Sequence, residues 1–460
     1  MTSAAVSSRI LPTTPVARER WLVFGMGKTG LSCARFLSAH GHAVTVIDTR
    51  DKPPEMELLK QLLPEINCRC GPQEAGVLDN IDALAVSPGI PLDHPLVRAA
   101  RDLGLPIVGD IELFARVAPA PYVAITGSNG KSTVTTLVAQ IIASAQQSVK
   151  AGANLGTPAL DLLAPPIPNY FVLELSSFQL EVTTSLAAQI ACLLNISPDH
   201  LDRHGTLAKY AAAKSRILHN ACAVVLNADD PLVASLAPTN VPVHWVSLQG
   251  ARPACYSVVV RDGQRYLAHG EQILLPSAAL QIKGAHNEFN ALAALAITDC
   301  LGIPRASQLA VLREFMGLEH RCRLVAEHAG VSWFNDSKGT NVGASVAAVA
   351  GIFNDRTGVL IAGGQGKGAD FTVLRTALKA RVHSVVLLGE DALKIEAAIA
   401  DLVRTTHAHS MEQAVAQASA CARPGDAVLL SPACASFDMF QDYAARGRAF
   451  EAAVRELIQR

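Results

Sequence analysis

The stretch Pro121-Tyr-Val-Ala-Ile-Thr-Gly-Ser-Asn-Gly-Lys-Ser-Thr-Val-Thr-Thr136 decides how the chain is read. Tyr122 to Ile125 is short, apolar and β-prone, the pattern of a buried strand. Thr126 to Gly130 is a glycine-bearing turn, and Lys131 opens a helical run through Leu137, Val138 and Ile141. A strand, a glycine turn and a helix N-terminus together make an anion site. The first helical N–H groups have no internal partner, and the helix dipole favours negative charge there. Lys131 adds a point charge for β- and γ-phosphates, and Ser132 a hydroxyl suited to Mg²⁺. The general phosphate loop G-x-x-x-x-G-K-[ST] would put glycine at position 125, where Ile125 stands, so this loop is the shorter T-G-S-N-G-K-S-T.

Upstream lies a second strand–glycine–helix turn. Trp21 to Phe24 reads as a strand, Gly25-Met-Gly-Lys-Thr-Gly30 as a turn, and Leu31 to Ala39 as a helix. The next strand, Ala43 to Ile47, ends at Asp48-Thr49-Arg50. This fits the dinucleotide fingerprint with its acidic residue about twenty positions on. Taken alone it points to a nicotinamide dehydrogenase, although a fold does not fix its ligand. The strand Ala83 to Val86 ends in Ser87-Pro88-Gly89, at the sheet edge where α/β ligands bind.

Downstream, Glu174 interrupts the apolar strand that starts at Tyr170, and an unpaired buried carboxylate is costly. It reads as a salt-bridge partner or as a metal ligand at the strand's end. The strand Ala191 to Asn195 leads to Asp199, His200, Asp202 and His204, crowded in one loop, which favours a metal-adjacent site. On pattern alone Lys214, in the helix Tyr210–Arg216, is solvated. Asn287 and Asn290 share one face near the start of an alanine-rich helix, as site residues or as caps. From Leu318 strands again alternate with helices, with polar loops at Asp336–Asn341, Gly363–Gly368 and Ser431–Phe437.

At 460 residues the chain exceeds one hydrophobic core, so two or three domains are expected. Half the residues are apolar, the net charge is −1, and no apolar run approaches the roughly 20 residues that span a bilayer. Nothing there draws nucleic acid or an anionic membrane. The ten cysteines show no C-x-x-C pair and are expected to be reduced thiols. Residues 1–18 read as a solvated tail without the apolar core of a secretory signal.

T-G-S-N-G-K-S-T, L-E-L-S-S-F-Q-L-E, N-x-x-x-D-H-L-D, Y-A-A-A-K, H-N-x-x-N-A-L-A-A, H-R and D-S-K-x-T-N occur in this order between Thr126 and Asn341, and the resemblance they carry covers Trp21 to Leu457. In this the chain resembles the Mur ligases of peptidoglycan synthesis, and D-S-K-x-T-N resembles the branch that adds D-glutamate to UDP-N-acetylmuramoyl-L-alanine. The resemblance implies an α/β fold of three domains. These are a Rossmann-like uridine domain over 1–110, an ATP-binding parallel-sheet domain over 111–317, and a Rossmann-like amino-acid domain over 318–460. It implies a cytoplasmic monomer that uses ATP, two Mg²⁺ ions and a carbamylated lysine.

By motif, Gly27, Lys28, Thr29, Asp48, Thr49, Arg50, Ser87, Pro88 and Gly89 would hold the uridine diphosphate, with Asn154 near the substrate carboxylate. Gly127, Ser128, Asn129, Gly130, Lys131, Ser132, Thr133, Asn287, Asn290, Arg321 and Asp336 would bind ATP. Lys131, Glu174, His200 and Lys214 would be catalytic, and Ser132, Glu174, His200 and carbamylated Lys214 would ligate metal. Lys338, Thr340, Lys367, Ser436 and Tyr443 would bind D-glutamate. Two positions depart from the family: Gly339 stands where alanine is common, expected to be mild, and Tyr443 where phenylalanine is expected. A folylpolyglutamate-synthase-like ligase, another Mur ligase and a noncatalytic nucleotide-binding regulator are the alternatives. The dehydrogenase reading leaves Lys131, Glu174, His200 and Asp336 unused.

Overall fold

A computed structural model describes residues 18–250, 254–354 and 356–459. The tail reading for residues 1–18 therefore lies, apart from Arg18, outside the described residues. Backbone contacts divide the chain into two compact units, one of residues up to 124 with 148–189 and 219–221, the other of 125–147, 190–218 and 222 onward.

The first unit holds an all-parallel sheet of β1 (Arg20–Phe24), β2 (Ala43–Asp48), β3 (Asn67–Cys70), β4 (Ala83–Val86) and β5 (Ile107–Val108), in the order β3-β2-β1-β4-β5. Trp21–Phe24 and Ala83–Val86 are buried throughout, which is why they read as continuous apolar runs and not as alternating ones. The strand order reverses beside β1, so the loops after β1 and β4 open a crevice at the carboxyl edge. The first helix, Lys28–Ala39, starts three residues earlier than expected, which puts Lys28, Thr29 and Gly30 on its opening turn. After the strand β6 (Tyr122–Thr126) come β7 (Val149–Ala153) and β8 (Tyr170–Glu174), paired in parallel.

In the second unit β9 (Ile190–Leu193), β10 (Ala223–Asn227) and β11 (Val243–Ser247) are parallel. β12 (Tyr256–Arg261), β13 (Gln264–His269) and β14 (Gln272–Pro276) extend them as an antiparallel meander. The hairpin between β12 and β13 turns on Asp262 and Gly263, both at positive φ, as a two-residue loop matched to strand twist requires.

Further on lie β15 (Arg323–His328), β16 (Val331–Asn335), β17 (Gly358–Gly363), β18 (Val382–Leu388), β19 (Arg404–His407) and β20 (Ala427–Leu430), in the order β15-β16-β20-β17-β18-β19. The parallel sheet expected from sequence carries one antiparallel edge, β15, because only the tight turn Ala329-Gly330 separates it from β16. Side chains of β17 alternate between two cores. Leu360 and Ala362 pack with Val349, Leu374 and Ile395, while Val359 and Ile361 pack with Met411, Val415 and Phe450. Helices thus cover both faces and leave the strand ends to carry polar loops.

Candidate functional site

The loop after β6 is built to face an anion. Gly130 precedes the helix Lys131–Ser144 with φ +84, and a Cβ there would meet the Asn290 Oδ1 at 2.5 Å. Only glycine satisfies both conditions. The loop is fixed from the next strand: Asn195 Oδ1 accepts from the Asn129 N–H at 2.8 Å, and its Nδ2 donates to the Asn129 carbonyl at 3.1 Å. Ser128 Oγ donates to the Ser197 carbonyl and accepts from the Ser197 N–H, both at 2.9 Å. Asn195 and Ser197 were not picked out from sequence as site residues.

Two lysines share one carbonyl of this loop. Lys131 Nζ donates to Gly127 O at 2.8 Å and to Ser128 O at 3.0 Å. Lys214 Nζ also donates to Gly127 O at 2.8 Å, and lies 4.6 Å from the Tyr210 ring centroid. The expectation of a solvated Lys214 is wrong: the residue is 1% exposed. Tyr210, four residues earlier on the same helical face, and the loop at Gly127 cover it. Ser132 Oγ accepts from Arg321 Nη2 at 3.0 Å.

The loop after β9 gathers charge around Asp199. Its carboxylate receives Lys367 Nζ at 3.3 Å and Asn341 Nδ2 at 3.0 Å, with His200 Nε2 at 3.7 Å. Burial would raise the Asp199 carboxyl, but Lys367, His200 and Lys131 outweigh it and hold it below its ordinary value. Burial first, with Lys367 and Lys131 adding to it and Asp199 opposing, pushes His200 down to about 4, so its imidazole is neutral near pH 7.

A cavity of about 320 Å³ opens from this loop. Asn129, Gly130, Thr133, Asn287, Asn290, Arg321, Asp336 and Lys338 line it, eight residues that the sequence reading had singled out. Asn290 Nδ2 donates to Asn287 Oδ1 at 3.1 Å, so the pair acts as one polar surface and not as two separate caps. His286, which sequence reasoning left unassigned, lines the cavity too, and burial followed by Arg321 brings it down to about 4. Burial lifts Asp336 to about 6 against the pull of Ser431, whose Oγ donates to Oδ2 at 2.6 Å. A Cβ on Gly339 would come within 2.5 Å of that same Oδ2, so the departure expected to be mild in fact makes room for the Asp336–Ser431 bond.

Of the residues expected at an amino-acid site, Lys338 faces the 320 Å³ cavity and Lys367 faces Asp199. Lys338 Nζ also lies 3.6 Å from the Tyr443 ring centroid. Thr340 follows on the Lys338 loop, its N–H bonded to the Lys338 carbonyl at 2.8 Å, and Ser436 is buried. Of these five, Lys338 alone lines the 320 Å³ cavity. What joins their loops is Arg446, missed from sequence and 1% exposed. It donates to Ser337 Oγ at 3.0 Å and to the carbonyls of Ser337 at 2.9 Å, Cys434 at 3.1 Å, Ala435 at 3.3 Å and Gly363 at 3.4 Å. Burial lowers it only to about 10, so it keeps its charge.

The crevice of the first unit is a separate cleft of about 590 Å³. Gly27, Lys28, Thr29, Asp48, Thr49, Arg50, Ser87, Pro88, Gly89 and Asn154 all line it. Asp48 is fully engaged there: Oδ2 accepts from the Met26 N–H at 2.7 Å and from Arg50 Nη2 at 2.7 Å, and Oδ1 from Arg50 N and Nε. An acidic residue so occupied has little capacity left for the ribose contact that a nicotinamide dinucleotide makes. Across the same unit Asn154 Nδ2 donates to Glu174 Oε1 at 2.6 Å, while Glu174 Oε2 is buried with no hydrogen-bond partner among the described residues. An orphaned buried carboxylate oxygen of that kind fits a hard cation.

Family models match in three blocks: a Mur ligase MurD-like N-terminal domain over residues 19–109, a Mur ligase middle domain over 125–298, and a Mur ligase glutamate ligase domain over 320–434. The chain is 48% identical to a UDP-N-acetylmuramoylalanine–D-glutamate ligase of Nitrosococcus oceani, over 97% of this chain and 99% of that one. It is 48% identical to the ligase of that name from Pseudomonas aeruginosa, over 95% and 98%. Among solved structures it resembles the UDP-N-acetylmuramate-alanine ligase of Thermotoga maritima, with TM-score 0.61 and 19% identity over 96% of this chain and 100% of that one. A pseudomurein peptide ligase type C from Methanothermus fervidus gives TM-score 0.62 and 18% identity over 96% and 100%. Among the described residues no helix is long and apolar enough to cross a membrane.

Proposed function

From the premise that this chain belongs to the Mur ligase family, we propose that it joins D-glutamate to UDP-N-acetylmuramoyl-L-alanine with cleavage of ATP, as a cytoplasmic monomer. The observation that carries the reading is the coexistence of two sites: a nucleotide cavity that reaches the phosphate loop, and a separate cleft lined by ten residues of uridine-type motifs. We assign residues 1–110 to the uridine substrate, 111–317 to ATP and 318–460 to the amino acid.

A carboxylate is a poor acylating agent because oxide is a poor leaving group. The substrate carboxylate attacks the γ-phosphorus of ATP, ADP leaves, and an acyl phosphate remains. The amine of D-glutamate then adds to the acyl carbon, and the tetrahedral oxyanion collapses with loss of phosphate. Lys131 and the loop N–H groups from Gly127 to Gly130 stabilise charge that develops on the transferred phosphoryl group. Lys338, Thr340, Lys367, Ser436 and Tyr443 orient the amino acid, with Arg446 holding three of their loops in register. A bound Mg²⁺ pair would neutralise phosphate and acyl oxygens. The resemblance gives Ser132, Glu174, His200 and Lys214 as its ligands; taken singly, the buried Glu174 carboxylate and the neutral His200 ring are each suited to a cation.

Lys214 suits this role as a carbamate. As an ammonium it shares the Gly127 carbonyl with Lys131, and two like charges on one buried carbonyl oppose each other. Addition of CO₂ to the neutral amine, with loss of a proton, removes that opposition and supplies oxygen ligands that Mg²⁺ prefers.

The test is phosphate release with ATP, Mg²⁺ and UDP-N-acetylmuramoyl-L-alanine while the amino acid is varied. D-Glutamate alone should support turnover. Release driven by L-lysine or meso-diaminopimelate would point to another Mur ligase. Release with L-glutamate and a folate would point to the folylpolyglutamate-synthase-like alternative.

A further inference from the structure

Gln179 lines the uridine-substrate cleft, yet it is only 3% exposed and its amide is held at both ends. Its Oε1 accepts from the Ser176 N–H and hydroxyl, both at 3.1 Å, within a capping box at the start of the short helix Ser177–Leu180. Its Nε2 donates to Asp110 Oδ2 at 3.0 Å. Asp110 is 1% exposed and opens the helix Asp110–Val117, 69 residues away in the chain. Burial pushes its carboxyl up to about 6, which still leaves it ionised at pH 7.5. An ionised carboxylate only accepts, and the Ser176 N–H only donates, so the Gln179 amide can take one orientation. One Nε2 hydrogen is spent on Asp110, and among the described residues the other meets no hydrogen-bond partner.

We infer that Asp110 is a positioning residue: it locks the Gln179 amide so that its second Nε2–H meets an oxygen acceptor of the nucleotide-sugar substrate. Asp110 itself does not line the cleft. The bland alternative is a carboxylate that serves only the N-terminus of its helix. That role would stabilise the protein without acting through Gln179. The inference rests on the uridine reading of this cleft, so its test carries a control for that reading.

The experiment is calorimetric titration of UDP-N-acetylmuramoyl-L-alanine into the full chain, with melting temperature recorded for each variant. Asp110→Asn, which removes the charge that anchors the Nε2 end and leaves the Ser176 N–H as the one group that orients the amide, and Gln179→Met, which removes the donor, should each weaken binding about tenfold, the worth of one hydrogen bond to a buried polar group. The double variant should bind like Gln179→Met alone, because Asp110 acts only through Gln179. The KM for ATP should not move. Unchanged affinity in Asp110→Asn, or losses that multiply in the double variant, overturns the inference. If Asp110→Asn does not fold, Gln179→Met decides, and unchanged affinity there also overturns it. Arg50→Ala is the control. If it too leaves affinity unchanged, the uridine assignment of the cleft has failed; if it alone weakens binding, only the role of Asp110 has failed.

Discussion

The turn after β1 and the turn after β6 share a plan, and they differ in what fills it. Both run from a buried strand through glycines into a helix N-terminus. In the first, glycine is a packing device: a Cβ on Gly30 would stand 1.7 Å from the Gly25 carbonyl oxygen, so helix and loop touch directly. The acidic residue that would mark a dinucleotide site is closed by Arg50 and the Met26 N–H. In the second, glycine frees the backbone to curl, and Lys131 and Lys214 converge on the loop carbonyl. Backbone geometry makes both turns anion sites, and side chains decide which anion each receives. On the proposed function, that is how a sequence with a dinucleotide fingerprint would serve a different nucleotide.

The sharpest way to break this contrast is to remove the charge from one turn. Lys131→Ala should lower the rate of phosphate release by roughly 10³-fold or more, measured in single turnover with saturating substrates. Activity within tenfold of the parent would remove Lys131 from phosphoryl transfer. Lys214→Arg keeps a cation but cannot become a carbamate, and should lose about 10²-fold. Acetate should partly restore Lys214→Ala. Full activity in Lys214→Arg would show that this turn needs a second cation and no carboxylate.

The packing role of the first turn predicts a stability effect. Gly30→Ala should cost more than about 3 kcal/mol in urea melts, or yield no folded protein. Gly27→Ala meets nothing within 4 Å, gives up only the N-cap glycine of the helix Lys28–Ala39, and should cost no more than about 1 kcal/mol. Equal midpoints would mean that the close approach at Gly30 is not a constraint.

A smaller effect comes from Glu112, whose side chain is 1% exposed. Burial would raise it, but the Ser185 N–H and hydroxyl, the Thr184 N–H and Arg116 bring it down to about 2. Its unfolded value is about 4.3. The unfolded chain therefore binds more protons between those values, and this contribution is present above about pH 4.3 and lost as pH falls toward 2. Glu112→Gln should cost on the order of 3 kcal/mol at pH 7 and flatten acid unfolding in that window. An unchanged acid limb would refute the assignment.

What was legible from sequence was local. Lys131 at a helix start, the Gly25–Gly30 turn with Asp48, and the loop Ser87–Gly89 came from short motifs whose spacing fixes their geometry, while Asn154 and the full set of ten in one cleft came with the family resemblance. What was not legible depends on partners far along the chain. Lys214 follows three alanines and looks solvated until the Gly127 loop closes on it. Asp110 finds Gln179 only in three dimensions. Arg446 did leave a signal: with Phe450 and Ala453 it falls on the buried stripe of the helix Tyr443–Gln459, where an arginine needs partners. Asn195 and Ser197 lie inside a recognised motif, but their work is to grip a loop some 66 residues upstream, which spacing cannot reveal.

The central claim is that the two turns divide the ligands between them. Titrating UDP-N-acetylmuramoyl-L-alanine and a nonhydrolysable ATP analogue separately into the parent, Arg50→Ala and Lys131→Ala tests it most directly. Arg50→Ala should weaken the uridine substrate about tenfold and leave the ATP analogue within twofold, and Lys131→Ala should do the reverse. A variant that weakens both ligands equally, or the wrong one, would contradict the division.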